Sequence, residues 1–144
     1  MSKKNYKTLE LDAKYKPKAS EKYMSDEQRA YFYKTLSEQR EELITSMDDV
    51  MGSINISTKS SAAGGKGDDG DFSNLISDAD MQIRTHERHT NLLRKIDSAL
   101  ERLESGKFGY SVISGEEIGL KRMIARPLAT LTIEEQEEQE KIEK

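Results

Sequence analysis

Four glycines fall within seven positions, Gly64, Gly65, Gly67 and Gly70, and a long polar segment with one thin apolar stripe lies on each side of them. In a helix interior each glycine costs ~1 kcal/mol relative to alanine, so that cluster argues against one continuous helix and marks a turn. Before it, Phe32, Leu36, Leu43, Met47, Val50 and Ile54 recur at steps of three, four or seven among Glu38, Gln39, Arg40, Glu41 and Glu42, which is a single helical stripe. Ser25 is a good N-cap and Gln28 stands where a capping box wants Glu or Gln. A helix is therefore predicted from about residue 25 to 54, roughly 45 Å long. After the glycines, Leu75, Ala79, Ile83, His86, Leu93, Ile96, Leu100 and Leu103 form a second stripe, predicting a helix that starts between Asp71 and Ser77 and ends near 105. Two long amphipathic helices on one turn predict an antiparallel coiled-coil hairpin over residues 24–105, with a tip loop near 57–71. Its seam is thin, and Gln39, His86 and either His89 or Thr90 fall in it.

Composition agrees with thin seams rather than a thick core: 35% of residues are charged, 34% hydrophobic and 6% aromatic, with no Trp. The length, 144 residues, is that of one domain. With no cysteine, a disulfide framework and a thiolate metal site are both excluded. The N-terminal stretch has no apolar core of a secretory signal, and no segment approaches a membrane span, so a cytoplasmic protein is expected. The net charge of −4 is unevenly spread. Residues 1–23 read as a weakly ordered arm carrying Lys3, Lys4, Lys7, Lys14, Lys16, Lys18 and Lys22, whereas the chain ends on the acidic EEQEEQEKIEK. A lysine-rich arm suits nucleic acid, but without aromatic interleaving protein partners are the better reading.

Residues 106–144 read as a small globular base and a terminal helix. Gly106 is a C-cap candidate, and Thr132 with Glu135 has the T-x-x-E spacing of a capping box for a helix from about 133. Glu134 and Glu135 suit that helix's N-terminus, Lys141 and Lys144 its C-terminus, and Glu137–Lys141 and Glu140–Lys144 are i,i+4 pairs. Phe108, Tyr110, Ile113, Ile118, Leu120, Met123, Ile124, Leu128 and Leu131 are the apolar residues expected to pack. Both histidines lie in HERH, His86 to His89, without a third metal ligand. No catalytic triad, phosphate loop or pair of catalytic acids is present, so no enzyme is expected.

The stretch KFGYSVISGEEIGLKRMIARPLATLTIEE closely resembles the globular end of the DksA/TraR family, which reads roughly FGYCxxCGxxIGxxRLxARPxAxxCxxC. Phe108, Gly109, Tyr110, Gly115, Ile118, Gly119, Arg122, Ala125, Arg126 and Pro127 match, and YMSDEQRAYFYKTL resembles the start of the family's first coiled-coil helix. The resemblance spans about residues 22–144 and implies an all-α fold: a long antiparallel coiled-coil hairpin with a small base and a C-terminal helix. It implies a monomeric bacterial regulator that binds RNA polymerase through its secondary channel and modulates initiation at ribosomal and amino-acid promoters in the stringent response. Guanosine tetraphosphate is the implied co-regulator at the interface, and sequence-specific DNA binding is not implied. The family's four zinc-ligand positions hold Ser111, Ser114, Thr132 and Glu135, so no zinc is expected. The family's acidic tip motif, D-x-x-D-x-A, falls on Asp68, Asp71 and Ser73; the plainer reading of these acids is turn and cap residues, and a calcium loop lacks its required Gly and Glu. Arg88 matches a polymerase-binding position. Leu92, Lys95 and Arg126 match positions near guanosine tetraphosphate, and a further basic position falls near Gln136. Alternative readings are a transcript-cleavage-type secondary-channel factor, disfavoured because such factors carry a β-rich second domain, and a coiled-coil scaffold or adaptor.

Overall fold

A computed structural model describes the backbone of residues 6–64 and 69–143, and the side chains of these residues outside 53–73 and 143. Among the described residues four helices follow one another: α1 (Asp26–Gly64), α2 (Asp69–Ser105), α3 (Leu120–Ala125) and α4 (Ile133–Glu143). The described residues form no strand; a single antiparallel bridge pairs Tyr110 with Glu117. The class is the all-α hairpin with a small base read from the sequence. Two compact units divide the chain, one of Gln39–Arg94 and one that joins Met1–Glu38 to Lys95–Lys144.

The helices of the hairpin are longer than their stripes predict. α1 continues past Ile54 to Gly64 and α2 already begins at Asp69, so a tip loop over 57–71 is corrected: only residues 65–68 separate the helices. Once a helix is nucleated each further residue adds one backbone bond. Residues 55–64 contain no proline, and Ala62 and Ala63 have the highest helix propensity. Gly70 falls in the first turn of α2, where backbone N–H groups lack intrahelical partners in any case.

In the Gln39–Arg94 unit, Leu43 is buried and Met47 and Val50 are half-buried. On α2 the half-buried positions are Ala79, Gln82, Thr85, His86, His89, Thr90 and Leu93. From 79 to 93 the seam alternates steps of three and four, the heptad rhythm of a coiled coil. Two expectations are corrected by this phase. Ile83 and Leu75 are 46% and 37% exposed, and Gln82 takes the seam place assigned to Ile83. Gln39 is exposed, with Arg40 half-buried instead.

The other unit carries most of the core. Phe32, Leu36, Ile96, Ala99, Leu103 and Met123 are at most 1% exposed, and Phe108, Ile118 and Leu131 at most 8%. Each large apolar side chain so buried contributes ~1.5–3 kcal/mol. The Phe32 and Phe108 rings meet at 5.2 Å, joining α1 to the base. Ile113 and Ile124, expected to pack, are 63% and 41% exposed. Each adjoins a turn or short helix whose opposite face supplies the buried residue, Ser111 or Met123.

Where it is described, the N-terminal arm packs through its tyrosines. It forms no helix, yet Tyr6 is buried with its ring edge-on to Tyr33 at 5.7 Å, and Tyr15 meets Tyr31 at 6.3 Å. The Arg29 guanidinium lies 4.3 Å from the Tyr6 ring centroid and donates to the Leu103 carbonyl, satisfying an acceptor that the end of α2 leaves open. At the start of α1 the Ser25 hydroxyl accepts from the Gln28 amide at 3.3 Å. The buried Gln28 side chain reaches one residue beyond the usual capping-box partner. It accepts from the Met24 amide at 2.9 Å and donates to the Lys18 carbonyl at 3.2 Å. Met24 accordingly turns into the left-handed region, φ 54°. α2 ends as its glycine predicts: Gly106, φ 80°, donates to Leu103 at 3.4 Å and Lys107 to Arg102 at 2.8 Å, the paired bonds of a Schellman motif.

Candidate functional site

The four positions where the resemblance implies metal ligands are held by hydrogen bonds. Thr132 and Glu135 form the predicted capping box in both directions. The Glu135 amide donates to Thr132 Oγ1 at 3.2 Å, and the Thr132 amide donates to Glu135 Oε1 at 3.1 Å. The other carboxylate oxygen, Oε2, accepts from the Ser111 hydroxyl at 3.0 Å. Ser111 Oγ in turn accepts the amides of Ile113 at 3.1 Å and Ser114 at 3.2 Å. Ser111 and Thr132 are buried. The Ser111 hydroxyl, and after it the Thr132 amide, hold the Glu135 carboxyl below its ordinary range. Hydroxyls are poor zinc ligands and one carboxylate cannot complete a tetrahedral site. Three of the four side chains here already satisfy one another, so this donor set does not fit zinc. No group of three or more His, Asp or Glu suited to a metal occurs among the described residues.

Tyr23 closes the base from the arm side. Its hydroxyl donates to the Gly109 carbonyl at 2.5 Å and accepts the Gly119 amide at 3.2 Å, and its ring stands edge-on to Tyr110 at 5.6 Å. The approach requires glycine at 109. A Cβ there would lie 2.7 Å from Met24 Cε and 2.9 Å from Tyr23 Oη, at φ 88°. Sequence reasoning missed Tyr23, because its partners lie 86 and 96 residues away and no local pattern announces them. Arg122, inside the matched motif, donates from Nε to the Leu131 carbonyl at 3.1 Å. It is thereby a packing residue that ties α3 to the turn before α4.

Arg88, Leu92, Lys95 and Arg126, expected to meet partners, are exposed. On α2, Arg88 lines a shallow cavity of about 460 Å3 with Met81, Arg84, Glu87 and Asn91. Arg88 donates to Thr85 Oγ1 at 3.1 Å, whereas Arg84 pairs with Asp80 at 2.9 Å, leaving Arg88 the more available cation. Leu92 is 39% exposed. Lys95 and Arg126 are both exposed in the unit that joins the two ends of the chain. Arg126 follows α3 with an extended backbone, φ −137°, as the following Pro127 demands. Gln136 gives the expected basic position no charge and donates to Glu140 at 3.3 Å. Asp71 and Ser73 lie in the first turns of α2, their side chains outside the described set, and Asp68 lies outside the described residues. His86 and His89 sit half-buried in the seam, and their Nδ1 atoms, with Gln82 Oε1, are buried without a hydrogen-bond partner.

Comparison with known proteins agrees with this geometry. Residues 28–103 match the family described as DnaK suppressor protein DksA, N-terminal domain. The chain is 35% identical over 130 residues to the RNA polymerase-binding transcription factor DksA of Caulobacter vibrioides (strain NA1000 / CB15N), covering 90% of this chain and 88% of the relative. It is 30% identical over 120 residues to the factor of the same name from Escherichia coli (strain K12), covering 83% and 76%. Among solved structures, the transcription factor DksA2 from Pseudomonas aeruginosa superposes with a TM-score of 0.74 at 38% identity, covering 88% of this chain and 92% of that one.

Proposed function

The chain belongs to the DksA family, which makes it an RNA polymerase-binding transcription regulator, and we propose that it acts through the polymerase's secondary channel with guanosine tetraphosphate as co-regulator. The observation that supports the reading is likeness to an RNA polymerase-binding factor along 90% of the chain, hairpin and base alike. The hairpin enters the channel. Arg88 supplies affinity from the flank of α2, and the carboxylates of Asp68 and Asp71 act near the catalytic region. Lys95, Arg126 and Leu92 contact the alarmone, with Gln136 contributing no charge to its phosphates, which lowers nucleotide affinity relative to a family member with a cation there. The protein works as a monomer in the cytoplasm, catalyses nothing and reads no DNA sequence. No described helix is long and apolar enough to cross a membrane.

Asp71→Asn tests the mechanism. Asn keeps the size of Asp and removes its charge, so the start of α2 survives while the tip loses a carboxylate. Transcription from a ribosomal-type promoter, with and without guanosine tetraphosphate, should lose its response to the variant, and competition binding to core polymerase should change less than about threefold. Equal losses of binding and effect would make the tip an ordinary contact. An unchanged effect would return Asp71 to a plain cap residue.

A further inference from the structure

The arm contains a cavity that the polymerase reading leaves without a role. Asp12, Lys14, Tyr15, Lys16, Lys18 and Glu21 line a space of about 380 Å3. Its frame is fixed. The Tyr15 amide donates to the Asp12 carbonyl at 2.9 Å and the Lys14 amide to Asp12 Oδ1 at 3.4 Å. The Tyr15 hydroxyl bonds to Glu21 Oε1 at 3.0 Å and Oε2 at 2.8 Å, and the Lys18 amide donates to Glu21 Oε1 at 2.8 Å. The ring of Tyr15 is held against Tyr31, and the Lys18 carbonyl accepts from the buried Gln28. Pro17 is buried and keeps Lys16 extended.

Within that frame the acids and the lysines are in different situations. Glu21 accepts three bonds from the frame, and the Lys18 amide and then the Tyr15 hydroxyl hold its carboxyl below the ordinary range. Asp12 is tied to the Lys14 amide. Lys14, Lys16 and Lys18 are exposed; none forms a close ion pair among the described residues, although the Lys18 charge also acts on Glu21. The turn closed by the Tyr15 amide on the Asp12 carbonyl brings Lys14 to the same cavity as Lys16 and Lys18, so three lysines converge on one space although the whole chain is acidic.

We infer that this arm is a binding element for the phosphodiester backbone of single-stranded nucleic acid, independent of base sequence and of the polymerase. Lysine ammoniums meet phosphates as point charges. Three of them around one cavity on one short segment meet neighbouring phosphates of one strand, and the cavity presents neither a helix nor a β-ribbon to enter a duplex groove. Base recognition is absent, because the ring of Tyr15 is engaged by Tyr31 and its hydroxyl by Glu21. Affinity is therefore modest and steeply dependent on salt.

The test uses the full chain and a fluorescently labelled twelve-nucleotide single strand of mixed sequence, read by anisotropy. Three phosphate contacts give a slope of roughly −2 in log K against log salt, about a 20-fold loss of affinity between 50 and 200 mM. The triple variant Lys14→Gln, Lys16→Gln, Lys18→Gln should lose that binding at an unchanged melting temperature, and the corresponding triple to Arg should keep it. A control of equal charge, Lys34→Gln, Lys107→Gln, Lys141→Gln, should bind as the wild type does. If the first triple melts early, Lys16→Gln alone decides, with the salt slope reduced by about 0.7. Undiminished binding in the arm variants, equal loss in the control, or no wild-type binding at 50 mM salt overturns the inference. So does displacement of the strand by tripolyphosphate or poly-glutamate as readily as by unlabelled strand at equal charge.

Discussion

Glu135 answers to three partners at once: the Thr132 amide on one oxygen, the Ser111 hydroxyl on the other, and Thr132 Oγ1 through its own amide. Removing the cap hydroxyl isolates one of these. Thr132→Ala should lower stability by ~1 kcal/mol relative to Thr132→Ser, the usual loss for an N-cap, as read from thermal or urea melts; an alanine variant that melts no lower than the serine one would leave the box without energetic weight. The carboxylate has its own signature. Its folded pKa lies below its ordinary value. Its contribution is therefore complete above the unfolded carboxyl's pKa of ~4.3 and is lost as pH falls through the lowered folded value. Wild-type melting temperature should thus drop more steeply in acid than that of Glu135→Gln, with the curves parallel above about pH 5; parallel curves in acid as well would clear Glu135 of the effect. The Thr132–Glu135 half of this site was legible, because a capping box is written within three residues. The Ser111 half was not, because its bond spans 24 residues.

Along the hairpin, period was legible and phase was not. Apolar residues at steps of three and four identified both helices, but Ile83 and Gln82 are adjacent, and only packing decides which one enters the seam. It takes Gln82, since heptad steps back from Leu103 and Ile96 pass through Leu93, His89, His86 and Gln82. The ends were misjudged for a related reason. Stripes show where a helix is packed, not where its backbone ends, and α1 continues past the stripe to Gly64. Gly52 lies inside α1, and a Cβ there meets nothing within 4 Å. Gly52→Ala should therefore stabilise the protein by ~0.5–1 kcal/mol, by reducing the freedom of the unfolded chain without disturbing a contact. Denaturant midpoints at constant m-value would measure it; destabilisation would mean that α1 is not helical at that point.

For the whole molecule, the matched motif from Phe108 to Pro127 made the family legible, and the absence of cysteine made its departure legible. Folding without zinc follows. Chelator should leave the melting temperature unmoved and metal analysis should find well below one zinc per chain, whereas a stoichiometric zinc or chelator-induced unfolding would refute it. What no local pattern disclosed is the joining of the two chain ends, by Tyr23 to Gly109 and Gly119, Arg29 to Leu103, and Phe32 to Phe108. That joining has a consequence in time. The unit formed from Met1–Glu38 and Lys95–Lys144 is made of segments separated by the whole of Gln39–Arg94. Such distant contacts form only after the intervening chain has been closed, and closure is slow when that chain is loose. A hairpin formed early shortens the search. The pace at which the base assembles is therefore governed by residues 39–94, and a lesion there would appear as slow maturation of a surface whose own sequence is intact.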